Sequence, residues 1–385
     1  MQGFVWYSIR DEAFYNDDEL NNGKAPTGAE VTWMEEETYF FKLSEFGDKL
    51  LKYYEDNPDF IAPKSRKNEV ISFIKSGLKD LSISRTSFKW GVPVPNDEKH
   101  IMYVWLDALT NYLSALDFPD MDSNKFKNFW PADIHLVGKD ILRFHAIFWP
   151  AFLMAADLPI PKRIFAHGWW TNEGEKISKS LGNVIDPLAL IEEFGLDQTR
   201  YFLMRQVPFG QDGNYAKEEM ILRINSDLAN NIGNLTQRSL SMITKNCDAK
   251  IPKAGDFNAE DKKLLDLAYN LKTTLDSHIE QQNFHLYLQD IIKQASLANE
   301  YIDKQAPWQL KKTDFTRMET VLYVLAENIR IIAILLQPFM PESMAKILTQ
   351  LNINATTPNF AQLENKLAAK HQINKNIIIF PRILS

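Results

Sequence analysis

Ile134-His135-Leu136-Val137-Gly138-Lys139-Asp140 is the stretch that decides the fold. Residues 134–137 read as a short buried strand, apolar but for His135, and the polar turn Gly138-Lys139-Asp140 ends it. The apolar spacing from about residue 141 to 156 then predicts a helix. A similar unit precedes it: Ile101-Met102-Tyr103-Val104-Trp105 is rich in strand formers, and residues 106–113 turn helical. Residues 163–166 supply a third strand. Strands alternating with helices predict a parallel, doubly wound sheet. Ligands bind such sheets beyond the carboxyl ends of the strands, where Trp105, Gly138, Asp140 and His167 fall.

After residue 223 the pattern changes. Leu228, Ile232, Leu235 and Met242 predict one helix face. Leu264, Ala268, Leu271 and Leu275 predict a second; Leu322, Leu325, Ile329, Ile332 and Leu336 predict a third, which stops at Pro338. Stacked amphipathic helices make a bundle. The fold class is therefore α/β plus all-α: an incomplete doubly wound parallel sheet followed by an α-helical bundle.

The chain has 385 residues, room for two or three domains. Apolar content of 45% and charged content of 24% mark an ordinary globular protein, and no run of about 18 apolar residues predicts a membrane span. A single cysteine, Cys247, excludes an internal disulfide framework and a Cys-rich zinc knuckle, and suits a reducing cytoplasm. The net charge of −7 excludes a uniformly basic nucleic-acid module, while leaving room for a local RNA-binding face.

Several residues could carry chemistry. The loop Glu175-Lys176-Ile177-Ser178-Lys179-Ser180-Leu181-Gly182-Asn183 sets two lysines three apart among short side chains, which suits holding a polyphosphate while a leaving group gains charge. Alone, it would read as a solvated loop. Ile141, His145 and Trp149 share one helix face; Trp105, Ala108 and Tyr112 share another. Each is a core stripe taken singly. If the two faces meet, they form an aromatic cavity with one imidazole and one phenol, suited to a polarisable thioether. Asp140 could accept ribose hydroxyls or cap a helix, and Gly138 could let a nucleotide approach. Gly168 could admit an adenine or phosphate, or make a turn. Asn234 and Arg238, one turn apart, could read unpaired bases or be a bare helix flank. Trp308 after Pro307 could stack on a base or pack under a loop.

Taken in order, these blocks resemble the methionyl-tRNA synthetase family of class I aminoacyl-tRNA synthetases. Ser84-Arg85, Trp90-Gly91-Val92-Pro93-Val94-Pro95, residues 103–108, Val137-Gly138-Lys139-Asp140, Phe144-His145-Ala146-Ile147-Phe148-Trp149-Pro150 and residues 176–180 carry the likeness. It implies a ligase that uses ATP, with Mg2+, to form methionyl adenylate and then methionyl-tRNA(Met). It implies methionine contacts from Trp105, Ala108, Tyr112, Ile141, His145 and Trp149, and ATP contacts from Gly138, Asp140, Gly168 and Lys179. Lys176 and Lys179 would stabilise the triphosphate; Asn234, Arg238 and Trp308 would read the CAU anticodon. Ile177 stands where the family usually has Met, a volume-conserving change.

The resemblance also implies a layout. Residues 1–84 would be the remainder of a connective insertion, here without zinc; 85–160 the second half of a Rossmann-like catalytic domain; 161–222 a stem-contact region with the lysine loop; and 223–385 the anticodon-binding domain. The family's His-x-Gly-His motif does not occur among the seven histidines. The expectation is a chain without the family's first segment, forming adenylate poorly by itself. A catalytically silent tRNA-binding module, one half of a split synthetase, and a different class I ligase are the other readings. Cytoplasmic location, a monomeric state and no membrane partner complete the expectations.

Overall fold

The computed structural model describes residues 2–8, 10, 13–15, 20–25, 27–87, 89–178, 182–354 and 360–384. The chain forms two compact units, Met1–His167 and Gly168–Ser385.

In the first unit a parallel sheet is built from β1 (Ile61–Ala62), β2 (His135–Gly138) and β3 (Ile164–His167), with β3 in the middle. Gly138 lies opposite His167 and Ile164 opposite Ile61, so the carboxyl ends of β2 and β3 are level. β3 buries Ile164, Phe165 and Ala166 in succession, as a central parallel strand must. β2 alternates, with His135 and Val137 buried and Leu136 exposed. Leu50 and Tyr54 from the helix Gly47–Asp56, and Val70 and Ile74 from the helix Lys64–Lys75, share one core with Val137, Ala146 and Ile164. Residues read from the sequence as an insertion thus complete the sheet. A two-residue strand such as β1 is too short to leave a periodic signal.

The strand expected at residues 101–105 is corrected by the structure. Asp97–Met102 is a strand, but it pairs antiparallel with Pro93–Val94 and Ser84–Arg85, apart from the parallel sheet. Pro95-Asn96 joins the first two of these strands, with Asn96 at φ 64°, so a two-residue turn forces the antiparallel return. Trp105 lies in the first turn of the helix α1 (Val104–Ser114) that follows.

The helix expected at 141–156 is also different. A short 3₁₀ turn, Lys139–Ile141, leads to a five-residue π segment, Phe144–Phe148, before α2 (Trp149–Ala155). Pro150 is the physical reason. It has no N–H to give the Ala146 carbonyl, and its ring crowds that carbonyl. The helix widens there, and the Tyr54 hydroxyl donates to the Ala146 oxygen instead.

The second unit opens with a small sheet, in which Trp170–Asn172 pairs with Glu175–Lys176 and Gly213–Tyr215. Helices follow: α3 (Asn234–Asn246), α4 (Ala259–Glu280), α5 (Phe284–Gln305), α6 (Pro307–Thr313) and α7 (Phe315–Leu336). The sequence stripe on α7 proves too narrow. Every residue from 324 to 336 is buried, so α7 is the bundle's central helix. Leu228 and Ile232 fall in a π segment, Ile224–Gly233, that runs directly into α3. Among the described residues no helix is long and apolar enough to cross a membrane.

Candidate active site and anticodon-reading face

The two helix faces in the first unit do meet. Tyr112 on α1 donates its hydroxyl hydrogen to His145 Nε2 at 2.9 Å. The roles are fixed from the other side of the ring. His145 Nδ1 lies 3.0 Å from the Ile141 carbonyl, which can only accept, so Nδ1 carries the proton and Nε2 the lone pair. Burial lowers the His145 pKa, opposed by the Ile141 hydrogen bond, and burial raises that of Tyr112. At neutral pH the pair is an uncharged phenol on an uncharged imidazole.

Aromatic rings surround the pair. Tyr112 lies 6.3 Å from Trp149, and Trp105 lies 6.4 Å from His145, centroid to centroid. Trp105 packs against the same core cluster that contains Trp149 and Leu109. Ala108, exposed, sits between Trp105 and Tyr112 on the α1 surface, where its methyl group leaves space. Ile141 packs mainly against the sheet core, and reaches the pair through its carbonyl. Phe144, which periodicity did not single out, stacks on Trp105 at 3.8 Å with the planes 10° apart. His135 was also missed. It lies 4.2 Å from the Tyr112 ring, and the only sequence signal for it is the alternation that puts it on the same side of β2 as Val137.

At the end of β2 a Cβ on Gly138 would stand 2.6 Å from Asp140 Oδ1, so glycine lets the Asp140 carboxylate fold back over the strand end. In the second unit, a Cβ on Gly168 would stand 2.2 Å from the Gln211 carbonyl oxygen. Close backbone packing alone therefore demands glycine at 168.

Lys176 ends its strand exposed, its ammonium 5.5 Å from the Trp169 ring centroid. Lys179 lies outside the described residues. What shapes the described part of the loop is Asn183, a residue that neither spacing nor charge singles out. Its side chain accepts from Ser178 N–H at 2.8 Å and donates to the Lys176 carbonyl at 3.1 Å, while Asn172 donates to its own carbonyl at 2.8 Å. One amide thus ties the backbone on both sides of Ile177, just after the first lysine.

Asn234, Arg238 and Trp308 form one surface in the second unit. Asn234 is the exposed first residue of α3, with Arg238 one turn on. The Arg238 guanidinium lies 5.4 Å from the Trp308 ring centroid and donates to Asp303 at 2.5 Å. Ala306, in the left-handed region at φ 43°, turns α5 into α6, and Pro307 starts α6 with Trp308 42% exposed. The sequence alternative of a tryptophan packed under a loop does not hold.

A nucleotide-type parallel sheet with an aromatic cluster beside it, followed by a basic loop and a helical bundle with an Arg–Trp pair at its surface, defines a class I aminoacyl-tRNA synthetase architecture. Residues 9–240 match the family described as tRNA synthetases class I (M), and residues 251–384 match the anticodon binding domain of methionyl tRNA ligase. The methionine–tRNA ligase of Rickettsia bellii is 56% identical over 392 residues, spanning 99% of this chain and 76% of that relative. That of Brucella suis is 54% identical, spanning 98% and 74%. The Mycobacterium tuberculosis methionyl-tRNA synthetase solved with methionyl-adenylate superposes with a TM-score of 0.95 at 51% identity, covering 99% of this chain and 77% of that one. The chain belongs to the methionyl-tRNA synthetase family.

Proposed function

We propose that this chain contributes three sets of residues to the methionine–tRNA ligase reaction. Trp105, Ala108, Tyr112, Ile141, His145 and Trp149 receive methionine. Gly138, Asp140, Gly168 and Lys179 contact ATP, with Lys176 and Lys179 on the triphosphate. Asn234, Arg238 and Trp308 read the anticodon of tRNA(Met). The observation that carries the reading is the Tyr112–His145 hydrogen bond inside a wall of aromatic rings. A neutral, mostly apolar wall with one oriented polar pair fits a thioether, which is polarisable and accepts weakly. A branched aliphatic side chain would forgo the sulfur–ring contacts that this wall offers.

Activation joins the methionine carboxylate oxygen to the α-phosphorus of ATP, and the bond from that phosphorus to pyrophosphate breaks. No covalent enzyme intermediate is needed, so positioning and charge stabilisation do the work. The lysines offset the charge that collects on pyrophosphate. Transfer then joins the methionyl carbonyl carbon to a ribose hydroxyl of the terminal adenosine of tRNA, and the acyl–phosphate bond breaks to release AMP. Magnesium arrives with the nucleotide. With Cys247 the single cysteine, a cysteine-held zinc is not proposed. The layout that goes with this reading is residues 1–84 as connective insertion, apart from residues 47–75, which pack on the catalytic sheet, 85–160 as catalytic fold, 161–222 as stem-contact region and 223–385 as anticodon-binding domain, in a cytoplasmic monomer.

Titration of the chain with L-methionine, L-isoleucine and L-leucine, followed by tryptophan fluorescence, tests the pocket. Methionine alone should bind, and Tyr112→Phe should weaken it by about 5–30-fold. Equal binding of isoleucine would overturn the assignment.

A further inference from the structure

The inner end of the aromatic cluster holds a side chain to which the roles above give no part. His135 opens β2 and is 5% exposed. Its ring lies 4.2 Å from Tyr112 at an interplanar angle of 30°, and 6.0 Å from both Trp130 and His145. Burial, with a smaller contribution from His145, pushes its pKa down to about 4, so it is neutral at pH 7. A neutral imidazole has one N–H to donate and one lone pair to fill. Neither ring nitrogen has a hydrogen-bond partner among the described residues, and the Trp149 Nε1 of the same cluster has none either.

Polar atoms enclosed without partners destabilise whatever arrangement encloses them. Here that arrangement is a ring stack in which Tyr112, Trp130 and His145 surround His135, and His145 joins it to Trp105 6.4 Å away. Trp105 and Phe144, 3.8 Å apart, are in van der Waals contact and leave no gap for a side chain. His145 Nε2 is already bonded to Tyr112.

We propose that His135 is a positioning residue of the amino-acid pocket: its unpartnered imidazole disfavours the closed stack and so favours the opened arrangement that takes up a methionine side chain. The inference rests on the assignment of this cluster as the methionine pocket. His135 need not touch the ligand. Apparent affinity is reduced by the fraction of molecules able to bind, so a group that penalises the closed form raises affinity from a distance. The signature is a pair of opposite signs. His135→Phe keeps a ring of similar shape against Tyr112 and removes the unpartnered nitrogens. It should stabilise the closed stack and weaken methionine binding together, whereas loss of a merely structural ring would lower stability.

Thermal unfolding and methionine titration of the 385-residue chain and its His135→Phe variant read both signs. The variant should melt about 2–4 °C higher and bind methionine about 5–30-fold more weakly. A lower melting temperature, or failure to fold, would show that the imidazole is bonded in the closed state, through enclosed water, and would overturn the proposal. A higher melting temperature with unchanged methionine affinity would overturn it too. A higher melting temperature in the variant, with no methionine binding by the wild type, would sink the pocket assignment while supporting the disfavoured imidazole. In the wild type, methionine should also move the ¹⁵N resonances of His135; resonances unmoved at saturation would count against any opening at this ring.

Discussion

Replacing Trp308 with alanine separates RNA recognition from stability. Trp308 sits at the second position of α6 with 42% of its surface exposed, and its described ring contact is the Arg238 guanidinium at 5.4 Å. An exposed cation–π contact contributes about 0.5–1 kcal/mol, and so exposed an indole leaves no cavity on truncation. The folding cost should therefore stay near 1 kcal/mol, well below the roughly 3–5 kcal/mol of a core tryptophan. Stacking of one unpaired base on an indole is worth about 1–3 kcal/mol, which corresponds to about 5–150-fold in affinity. The assay is fluorescence anisotropy with a short RNA hairpin whose loop carries CAU, beside one with a changed loop. Trp308→Ala should weaken the CAU hairpin within that range and leave methionine binding unchanged. The Arg238 charge is already paired with Asp303 at 2.5 Å, so Arg238→Ala should lower affinity with less than one unit of change in the salt slope. Unchanged RNA affinity in Trp308→Ala, or equal losses for both hairpins, would refute base reading by this face.

Three further outcomes are expected. Asn183→Ala removes the amide that ties Ser178 and Lys176 together, so trypsin should cut after Lys176 and Lys179 about 5–30-fold faster; an unchanged rate would show that the loop is held by other contacts. Arg330→Met leaves Glu327, itself fully buried, without the guanidinium that donates to both its oxygens, and should cost about 3–5 kcal/mol in urea unfolding; a loss below about 1 kcal/mol would mean the pair adds nothing over its neighbours. The depressed His135 pKa sets a pH window. Below 6.5 the unfolded chain binds a proton that native His135 refuses until about 4, so stability is present above 6.5 and is lost as pH falls towards 4. His135→Phe should flatten that part of the curve, and identical acid limbs in both proteins would refute the assigned shift.

What could be read in advance was what repeats or punctuates. Residues 134–137, with their glycine turn, gave β2, and the apolar spacing gave the helical bundle. Trp105, Tyr112, His145 and Trp149 were legible as two stripes, and the structure brings them together because α1 and α2 share the core of Leu109, Leu113 and Leu153. What failed was whatever depended on one residue overriding a period. Pro150 moved the turn around His145 into π geometry, and Pro95-Asn96 turned a supposed parallel strand into a hairpin. Two-residue β1 carried no period at all.

The His145 tautomer shows the limit most directly. The spacing of Ile141 and His145 is the same whether the residues pack as oil or as a hydrogen-bonded pair. The Ile141 carbonyl that His145 Nδ1 reaches lies at the end of a 3₁₀ turn that runs into a π segment, a backbone path the spacing does not show. That contact turns the lone pair of Nε2 towards Tyr112 and gives the pocket its one oriented dipole. The polarity of the site thus depends on a backbone irregularity whose cause, a proline one residue into α2, lies five positions downstream of the histidine. Pro150→Ala should restore α-helical bonding across residues 144–150 and release the Tyr54 hydroxyl from Ala146. A bound methionine that then still contacted an unaltered Tyr112–His145 pair, at undiminished affinity, would show that the irregularity is incidental to the site.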